Sequence, residues 1–557
     1  MAYNMEQKQL FLQIHPEDNV LVALQDLPAG MEVRFGDKPV RLVSGVKAKH
    51  KFTIGALEAG AEVRMYGVLV GRTNAALPPG ETITTQNIHH AADSVKLGER
   101  KLDWHKPDVS AFEGRTFMGY HRSNGTVGTA NYWLVIPLVF CENRNVSVMK
   151  QALEEQLGYS KRLRDYEPEV DQLIRLYRAG STVEDILNAD ITASKTQEGG
   201  QRLFAQVDGI KFLNHNMGCG GTRSDADTLC GLLAGYITHP NVAGATVLSL
   251  GCQNAQASIL RGEIAKRDPL FDKPLYIFEQ QLMGTETNLI REALKHTFAG
   301  LMQANQLQRQ PAPLSKLCVG LECGGSDGFS GISANPALGF VSDMLVAMGG
   351  SVILSEFPEL CGVEQELSDR CVDEATALRF IELMKTYNAR AEAAGSGFDA
   401  NPSPGNIRDG LITDAIKSAG AAKKGGTSPV TAVVDYPGVA NKPGLNLLCT
   451  PGNDVESTTA EVGAGANVVL FTTGLGTPTG NPITPVIKLS SNTTLYERMP
   501  DIIDVNCGTI IEGTEAIEEA AHRILDYIIE VASGDTQPKA VQLGQDDFIP
   551  WRRGVSL

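Results

Sequence analysis

Apolar segments that end in small or polar residues recur along most of the chain. In order, they are ANYWLVIPLVFC, ATVLSLGC, KLCVGLECGG, GSVILSEFPE, LNLLCTPGND and NVVLFTTGLGT. Their length and apolarity are typical of buried parallel strands. Helical segments, including Leu282–Asn305 and Ala516–Val531, lie between them. Because parallel neighbours need crossover connections, this order predicts α/β architecture with largely parallel sheets covered by helices.

The N-terminal region has a different pattern. Short alternating stretches at 20–27, 31–35 and 62–70 are separated by the turn sequences PAG, GDKP, EAG and PPG, which predicts a small all-β module. The polar residues that follow read as a linker. We therefore expect a β module at 8–92, a linker at 93–111, an α/β domain at 112–308 and a C-terminal α/β domain at 309–557. Within the first α/β domain, Ser181 with Glu184 predicts a helix capping box.

Bulk composition excludes several classes of function. The chain has 557 residues and a formal net charge of −16, which argues against nucleic acid and anionic membranes as partners. Ten cysteines without a CxxC pair suggest neither a zinc knuckle nor a disulfide framework. The N-terminus lacks a signal-peptide pattern, and the longest apolar run, near 132–141, is too short to span a membrane. We expect a cytoplasmic protein.

The segment GLECGGSDGFSGISANP at 320–336 is the most unusual turn in the chain. Gly324 and Gly325 directly follow a predicted strand, where glycine permits a positive φ or the close approach of another group. Ser326 and Asp327 then offer side-chain oxygens beside free N–H groups. In an α/β sheet the carboxyl end of a strand is where ligands bind. A purely structural tight turn is the alternative.

Other predicted strand ends carry similar turns. They are NHNMGCGGTRSDADT, SLGCQNAQ, NPSPGN, TPGND and TTGLGTPTG. Several such ends with neutral hydrogen-bonding side chains favour a pocket for a polyhydroxylated or anionic small molecule. Nucleotide binding is disfavoured, because the sequence contains neither GxxxxGK[ST] nor a GxGxxG that follows a strand. GGSDG fits the GxSxG elbow of serine hydrolases, but His522 is the only histidine beyond Ser326.

Histidine is scarce, with ten in the chain, so its placement is informative. His15 and His50 fall in the β module, and His89 and His90 stand at its end. Several imidazoles within one compact module favour a metal site over solvated surface histidines. Three cysteines at predicted strand or turn ends are either buried fillers or part of the site: Cys219, Cys252 and Cys323.

The motifs together resemble the altronate dehydratase/galactarate dehydratase family over nearly the whole chain. They are DNV at 18–20, HK at 50–51, YG at 66–67, FMGYHRSNGTVGTAN, GC at 218–219, LGC at 250–252, CGGSDGFSGISANP, NPSPGN, PGND, TTGLGTP, ASG at 532–534 and the closing GVSL. The resemblance implies an N-terminal SAF-type β-clip module joined to two α/β domains. It also implies a dehydratase of aldonic or aldaric acids that depends on Fe2+ or Mn2+.

The resemblance also suggests roles for individual residues. Expected metal ligands are His15, His50 and His89. Expected catalytic residues are His215, Cys219 and Asp327. Expected substrate contacts are Ser326, Asn335, Asn401, Ser403, Asn406 and Thr477.

Three features depart from the family pattern. The end of the β module reads QNIHH instead of a histidine-rich HxHN, so the motif does not identify the third metal ligand. The family motif TTGRGTP is TTGLGTP here, which places Leu475 where a carboxylate-binding arginine is expected. An additional segment, roughly Leu157–Phe204, lengthens the first α/β domain.

The expected function is conversion of D-altronate to 2-keto-3-deoxy-D-gluconate and water by a homo-oligomer, taken as a dimer. The alternatives are dehydration of galactarate or another hexonate, and a non-catalytic sugar-acid binding protein. Loss of water from a 2,3-dihydroxy acid requires removal of a weakly acidic C2 proton and departure of the C3 hydroxyl. A divalent cation can stabilise the charge that develops, and an acid and a base complete the site.

Overall fold

A computed structural model describes residues 9–160, 166–191 and 201–557. The described chain comprises an N-terminal β module and two α/β domains, each with a parallel sheet, in the order that the sequence predicts.

The β module consists of short antiparallel strands. They are β1 (Phe11–Leu12), β2 (Val20–Ala23), β3 (Glu32–Phe35), β4 (Lys38–Arg41), β5 (Lys51–Thr53), β6 (Glu62–Met65), β7 (Val68–Thr73) and β8 (Ile88–His89). They form three small sheets with the orders β1-β2-β5, β3-β4 and β6-β7-β8. Strand β2 is buried on both faces. Leu21 and Ala23 face the module's own core, whereas Val20 and Val22 join the large core of the C-terminal domain. Because successive side chains of a strand point to opposite faces, β2 contributes to both cores and packs the module against the C-terminal domain.

The first α/β domain is built on a four-stranded parallel sheet with the order β12-β11-β13-β14. Its strands are β11 (Tyr132–Pro137), β12 (Gly209–Phe212), β13 (Val242–Ser249) and β14 (Leu275–Glu279). Its helices are α1 (Asn143–Leu157), α2 (Glu167–Arg178), α3 (Val183–Leu187), α4 (Arg223–Thr238), α5 (Ala257–Arg267), α6 (Gln280–Met283) and α7 (Glu286–Ala304). Alternate residues of β11 enter two different hydrophobic clusters, so the sheet is covered on both faces.

The C-terminal domain contains a seven-stranded parallel sheet with the order β18-β19-β17-β16-β20-β21-β22. The strands are β16 (Cys318–Cys323), β17 (Ser351–Leu354), β18 (Val430–Asp435), β19 (Gly444–Cys449), β20 (Val468–Thr473), β21 (Val486–Ser490) and β22 (Val505–Asn506). The helices are α8 (Ala334–Ala347), α9 (Glu364–Asp369), α10 (Glu374–Ala393), α11 (Pro404–Arg408), α12 (Asp414–Ala422), α13 (Asp454–Gly463), α14 (Thr493–Arg498), α15 (Gly508–Ile511), α16 (Ile517–Ser533) and α17 (Lys539–Gln542).

The strand order changes direction at β16. The chain continues from β16 to β17 on one side, while β20, much later in sequence, pairs with β16 on the other. Such a switch point leaves a crevice at the carboxyl ends of the two strands, which is where ligands bind in open α/β sheets. The glycine-rich segment at 320–336 lies there.

A small antiparallel sheet, which the sequence analysis did not predict, connects the two α/β domains. It pairs β9 (Thr116–His121) with β10 (Val127–Gly128) and with β15 (Gln310–Pro313). The segment that directly follows the expected domain boundary at 308–309 therefore contributes a strand.

The predicted capping box is wrong by one residue. Thr182, not Ser181, caps α3, and its hydroxyl accepts a hydrogen bond from the backbone N–H of Asp185 while the Asp185 carboxylate reaches back. Thr182 has the extended backbone of an N-cap, which sets the register. Of the additional segment 157–204, residues 161–165 and 192–200 lie outside the described part of the chain.

No helix in the described part of the chain combines the length and apolarity that crossing a bilayer requires.

Close helix contact joins the two α/β domains, and it allows a test of the fold. A Cβ on Gly235 in α4 would lie 2.2 Å from the carbonyl oxygen of Gly463 in α13. We expect Gly235→Ala to lower the melting temperature, since overpacking costs about 1–3 kcal/mol. Gly262→Ala in α5 is the matched control, because a Cβ there meets nothing within 4 Å. The control should match or exceed wild-type stability, since alanine favours helix by roughly 1 kcal/mol. Calorimetry on both variants is the measurement, and equal melting temperatures would contradict the close contact.

Candidate active site

Three buried side chains with metal-binding atoms meet at the carboxyl end of β16. The Cys323 thiol and the carboxylates of Glu356 and Glu359 each place one such atom within 4.8 Å of the other two. Cys323 ends β16, and both glutamates follow β17. The register Cys318↔Ser351, continued along the strands, sets Glu356 opposite Cys323. Parallel pairing therefore brings the three residues together.

The turns that surround this point are held by close contacts. Only glycine fits at position 324, because a Cβ on Gly324 would lie 2.1 Å from a carboxylate oxygen of Asp454. Glu356 has a left-handed backbone with φ of 61°. Its N–H donates to the Thr450 hydroxyl at 2.8 Å, at the end of neighbouring strand β19. The ends of three adjacent strands thus fix the glutamate.

Two lysines neutralise part of the negative charge. Lys424 Nζ donates to a Glu356 oxygen at 2.6 Å and to the Cys323 sulfur at 3.0 Å. Lys417 Nζ donates to Glu359 at 2.6 Å and to the Asn401 side-chain oxygen at 2.7 Å. For Lys424, burial alone would lower the pKa, but the surrounding acidic groups raise it well above its ordinary value. Both lysines are therefore held as cations.

Two further carboxylates, Glu322 and Glu461, are buried beside these groups. We call Glu322, Cys323, Glu356, Glu359 and Glu461 the acid cluster. Burial raises the pKa of Glu461 to about 8 and that of Glu356 to about 7. Burial and the neighbouring glutamates raise the pKa of Glu322 well above its usual range. In contrast to these, the pKa of Glu359 is lowered, because the charges of Lys417 and Lys424 outweigh its burial.

The acid cluster has spare capacity to bind a cation. Four carboxylates and a thiol face two ammonium groups, and one oxygen of each of Glu322, Glu356 and Glu461 is buried without a hydrogen-bond partner. Unpaired buried oxygens are costly. Carboxylate oxygens with a thiolate are a donor set that divalent transition metals accept. Cys323, Glu356 and Glu359 therefore fit a divalent cation.

The β module contributes side chains to the same region. Lys49 Nζ lies 3.0 Å from an Asp327 carboxylate oxygen and 3.1 Å from Asp409. Lys51 is fully buried, and its Nζ donates to the carbonyl oxygens of Gly410 at 2.6 Å and Lys49 at 2.9 Å. Burial lowers the pKa of Lys51 to about 7. The turn before β5 is thereby anchored on the C-terminal domain.

Backbone strain is concentrated here. Among the described residues, the non-glycine residues with positive φ are Lys49 (75°), Tyr66 (59°) and Glu356 (61°). Such conformations cost on the order of 1–3 kcal/mol each and persist where the surroundings impose them, often at active sites. Two of the three belong to the β module and one to the acid cluster. The strained residues therefore coincide with the contact between the module and the C-terminal domain and with the acid cluster.

A pocket with about 220 Å³ of empty space, part of which is open to solvent, lies at this boundary. Its polar lining comes from the β module and the C-terminal domain: Tyr66, Ser326, Asp327, Ser330, Asn335 and Lys417. Burial raises the pKa of Tyr66 well above its ordinary value, so its hydroxyl stays protonated. Lys417 faces both this cavity and Glu359, and so connects the cavity to the acid cluster.

Most of the expected substrate contacts converge on this region. Asn335 accepts from the Thr472 hydroxyl at 2.7 Å, and Asn406 donates to the Ser326 carbonyl oxygen at 2.7 Å. Asn401 donates to Glu359 at 3.1 Å. Ser403 caps α11 in a capping box with Asn406. The Thr477 hydroxyl pairs with that of Thr479 at 2.9 Å.

Asp327 has a positioning role in the geometry. Its carboxylate accepts from the hydroxyls of Ser330 at 2.9 Å and Ser491 at 2.8 Å, and it pairs with Lys49. These contacts hold the glycine-rich turn against β21 and against the β module. Asp327 therefore joins three chain segments at the wall of the cavity.

The structure does not gather the three expected metal-binding histidines. His15 accepts from the backbone N–H of Glu17 at 3.2 Å, and a His50 ring nitrogen lies 3.1 Å from the Arg408 carbonyl oxygen. His89 contacts the Asn74 side-chain oxygen at 2.6 Å. Within the described residues, none of these histidines belongs to a group of three ligand atoms. His89 lies on β8, whereas His15 and His50 lie in the loops before β2 and β5, and each ring contacts a different partner.

His215 and Cys219 lie in the first α/β domain. His215 donates from Nε2 to the Pro137 carbonyl oxygen at 2.6 Å, and its Nδ1 accepts from the Met217 N–H at 3.1 Å. Burial lowers its pKa to about 4, so the ring is neutral. Cys219 is exposed and lines a shallow pocket with Arg552. Within the described residues, neither His215 nor Cys219 forms a hydrogen bond or ion pair with the acid cluster.

The serine hydrolase alternative finds no support in the geometry. Ser326 is buried in the wall of the cavity. His522, the partner that the chain order requires, lies on α16 in ring contact with Phe112 and Phe340. The nucleophile and its expected base therefore have different neighbours.

Sequence reasoning assigned no role to Tyr66 and missed the residues that carry most of the charge: Lys49, Glu356, Glu359, Lys417 and Lys424. One signal was available. SEFPE places two glutamates directly after an apolar strand, where parallel sheets bind ligands. The lysines gave no such signal, because exposed lysines are common and nothing in their spacing indicates burial.

The raised pKa values predict how stability depends on pH in metal-free protein. The folded-state pKa of Glu461 is about 8, whereas its ordinary value is 4.5. Its contribution to stability is complete below pH 4.5 and is lost as the pH rises through about 8. We expect the melting temperature to fall over this window and the slope to flatten in Glu461→Gln, which keeps an acceptor for the Leu321 N–H. Glu382→Gln, at an exposed glutamate of α10, should keep the wild-type slope. Identical slopes in all three proteins would refute the assignment.

The sequence matches the profiles of one enzyme family in three consecutive segments. Residues 9–91 match the altronate/galactarate dehydratase SAF domain, and residues 119–305 match the D-galactarate dehydratase/altronate hydrolase second domain. Residues 314–556 match the D-galactarate/altronate dehydratase C-terminal domain.

Individual relatives are similar over almost their full length. The altronate dehydratase of Bacillus subtilis is 32% identical over 529 residues, covering 94% of this chain and 95% of that protein. The altronate dehydratase of Escherichia coli is 32% identical, with the same coverage of both chains. The galactarate dehydratase (L-threo-forming) of Escherichia coli is 30% identical and covers 96% of this chain and 95% of its own. The chain therefore belongs to the galactarate/altronate dehydratase family of hydro-lyases.

Proposed function

We propose that this chain dehydrates D-altronate to 2-keto-3-deoxy-D-gluconate with a divalent Fe2+ or Mn2+ ion bound by Cys323, Glu356 and Glu359. The observation that carries the metal site is the convergence of these three buried groups within 4.8 Å, beside a polar cavity. Relatives named as altronate dehydratases support the reaction class.

The donor set and its location favour this role. A bound divalent cation would act as a Lewis acid on the carboxylate and hydroxyl of the substrate and so stabilise charge that develops at C2. The protein supplies one cysteine sulfur and two carboxylates for it. Burial and the two glutamates hold the pKa of the Cys323 thiol well above its ordinary value, so binding of the cation would have to displace the thiol proton. The oxygen of Glu356 that accepts no hydrogen bond is available for such a contact.

Lys417 is the residue best placed to handle the departing hydroxyl. Burial opposes its charge, but Glu359 and neighbouring acidic groups raise its pKa above the ordinary value. It is therefore protonated at neutral pH and suited to donate a proton or to bind an anionic oxygen, not to remove the C2 proton. Its side chain lines the cavity that the substrate would enter.

The other cavity residues bind and orient. Ser326, Asn335 and Tyr66 offer a hydroxyl, an amide and a phenol, which are suitable partners for the hydroxyls of a sugar acid. Tyr66 comes from the β module, so the module forms part of the cavity wall. Where the substrate displaces water from this wall, its electrostatic contacts with Lys417 would be strengthened.

Leu475 favours a mono-acid over a di-acid. It follows β20, and its backbone N–H donates to the carbonyl oxygen of Gly325 at 2.9 Å, beside the glycine-rich turn. A second substrate carboxylate near this point needs a charge-assisted partner, for which arginine is best suited. Leucine offers none, and an unpaired buried carboxylate costs on the order of several kcal/mol.

We predict that metal binding and activity depend on the acid cluster. Chelator treatment should abolish turnover, and Fe2+ or Mn2+ should restore it. Glu359→Gln should weaken metal affinity by roughly tenfold or more, since it removes the charge of one of few ligands. Mn2+ binding measured by calorimetry or electron paramagnetic resonance gives a readout that does not depend on turnover.

Two controls separate this site from the alternatives. Glu382→Gln makes the same substitution on an exposed surface and should bind Mn2+ like wild type. His50→Ala tests a metal site in the β module and should also retain Mn2+ affinity. Loss of Mn2+ binding in His50→Ala with retention in Glu359→Gln would move the site to the β module. Full turnover in verified metal-free protein would end the proposal of metal dependence.

We predict a higher kcat/KM for D-altronate than for galactarate, with Leu475→Arg shifting the ratio toward galactarate. Leu475→Met, which keeps an apolar side chain of similar volume, is the matched control and should leave the ratio unchanged. Assays of keto-deoxy product across hexonates and hexarates measure the ratio. Comparable values for both acids in wild type would contradict the proposal, and binding without product would indicate a sugar-acid binding protein.

A further inference from the structure

A second group of metal-binding side chains lies where the end of the β module meets the C-terminal domain. His90 directly follows β8, Cys361 follows the short 3-10 helix Phe357–Leu360, and Asp414 begins α12. One donor atom of each lies within 4.8 Å of the other two. His90 Nδ1 contacts Asp414 Oδ1 directly. Three segments far apart in sequence thus present a nitrogen, a sulfur and an oxygen to one point.

The chemistry of these donors favours a transition metal. Imidazole, thiolate and carboxylate are the three protein ligands that Zn2+ uses, and hard cations such as Mg2+ do not select sulfur. Another carboxyl group, that of Glu364, lies close enough to interact electrostatically with both His90 and Asp414. The His90 side chain is 35% exposed, so a cation can reach the group from solvent.

This group is separate from the acid cluster but mechanically connected to it. Cys361 is two residues beyond Glu359, and Asp414 stands one helical turn before Lys417 on α12. Glu359 and Lys417 form a close ion pair at 2.6 Å. A cation ligated by both Cys361 and Asp414 would therefore hold together the two segments that carry this pair.

We propose that His90, Cys361 and Asp414 bind a structural Zn2+-type dication, which fastens the end of the β module to the segments that carry Glu359 and Lys417. The proposal does not depend on the catalytic metal, because the ligands are different residues. A simple ion pair between His90 and Asp414 is the competing interpretation, and it predicts no metal binding.

Co2+ is the probe, since its bond to a thiolate gives a charge-transfer absorption band and Zn2+ displaces it. The assay uses metal-free full-length Cys323→Ser, which removes the thiolate of the acid cluster. We expect one Co2+ per chain with a thiolate band. Adding Cys361→Ser should abolish the band, and adding His90→Gln should weaken Co2+ affinity by about tenfold or more. Adding Cys141→Ser, at an exposed cysteine of the first α/β domain, should change neither.

The outcomes decide between the two interpretations. Absence of a thiolate band in Cys323→Ser, or a band that survives Cys361→Ser, overturns the proposal. If Cys323→Ser does not fold, wild type and Cys361→Ser alone are compared, and equal thiolate bands overturn it. None of these measurements involves turnover. The result therefore does not depend on whether the enzyme is active or on which metal serves in catalysis.

Discussion

The pairing of buried carboxylates with two lysines is the interaction on which the C-terminal domain depends. Burial of an unpaired charge is prohibitive, and loss of one partner from a buried pair costs roughly 3–5 kcal/mol. Lys424 donates hydrogen bonds to both Glu356 and Cys323, so one ammonium group contacts the ends of two neighbouring strands. Gly320 in β16 reflects the same crowding, because a Cβ there would lie 2.3 Å from a Glu461 oxygen. Stability alone would favour an apolar core here, so the charges indicate function.

The β module is part of the site rather than an attached domain. One face of β2 lies in the core of the C-terminal domain, and Lys49 and Tyr66 hold strained backbones at the cavity. Strain of this kind persists only if surrounding contacts impose it. The ion pair between Lys49 and Asp327 is such a contact. Contacts between the module and the glycine-rich turn therefore stabilise the conformation in which both contribute to the cavity wall.

The sequence predicted elements whose signals are local. The six apolar segments became β11, β13, β16, β17, β19 and β20, and the glycine-rich turn at 320–336 lies at the switch point of the sheet. Ser326 and Asn335, two of the expected substrate contacts, line the same cavity, and Asn401 contacts Glu359 of the acid cluster. The acid cluster could not be read in the same way. The histidines suggested a metal site in the β module, whereas the structure brings Cys323, Glu356 and Glu359 together through strand register and pairs them with lysines that lie 58 to 101 residues later in the chain.

The same charge balance would couple a bound cation to the substrate. A sugar acid would bring another negative charge to a cavity whose wall already contacts Glu359 through Lys417. Two lysines cannot neutralise four buried carboxylates and a substrate carboxylate together. Either the glutamates with raised pKa values stay protonated, or a cation replaces their protons. Lys417 stays charged at the cavity wall in both arrangements, but a bound divalent cation could also ligate the substrate carboxylate directly, and attraction in a medium of low dielectric constant would then favour binding of the two together. Under the proposed function, substrate affinity should therefore follow occupancy of the acid cluster by a cation.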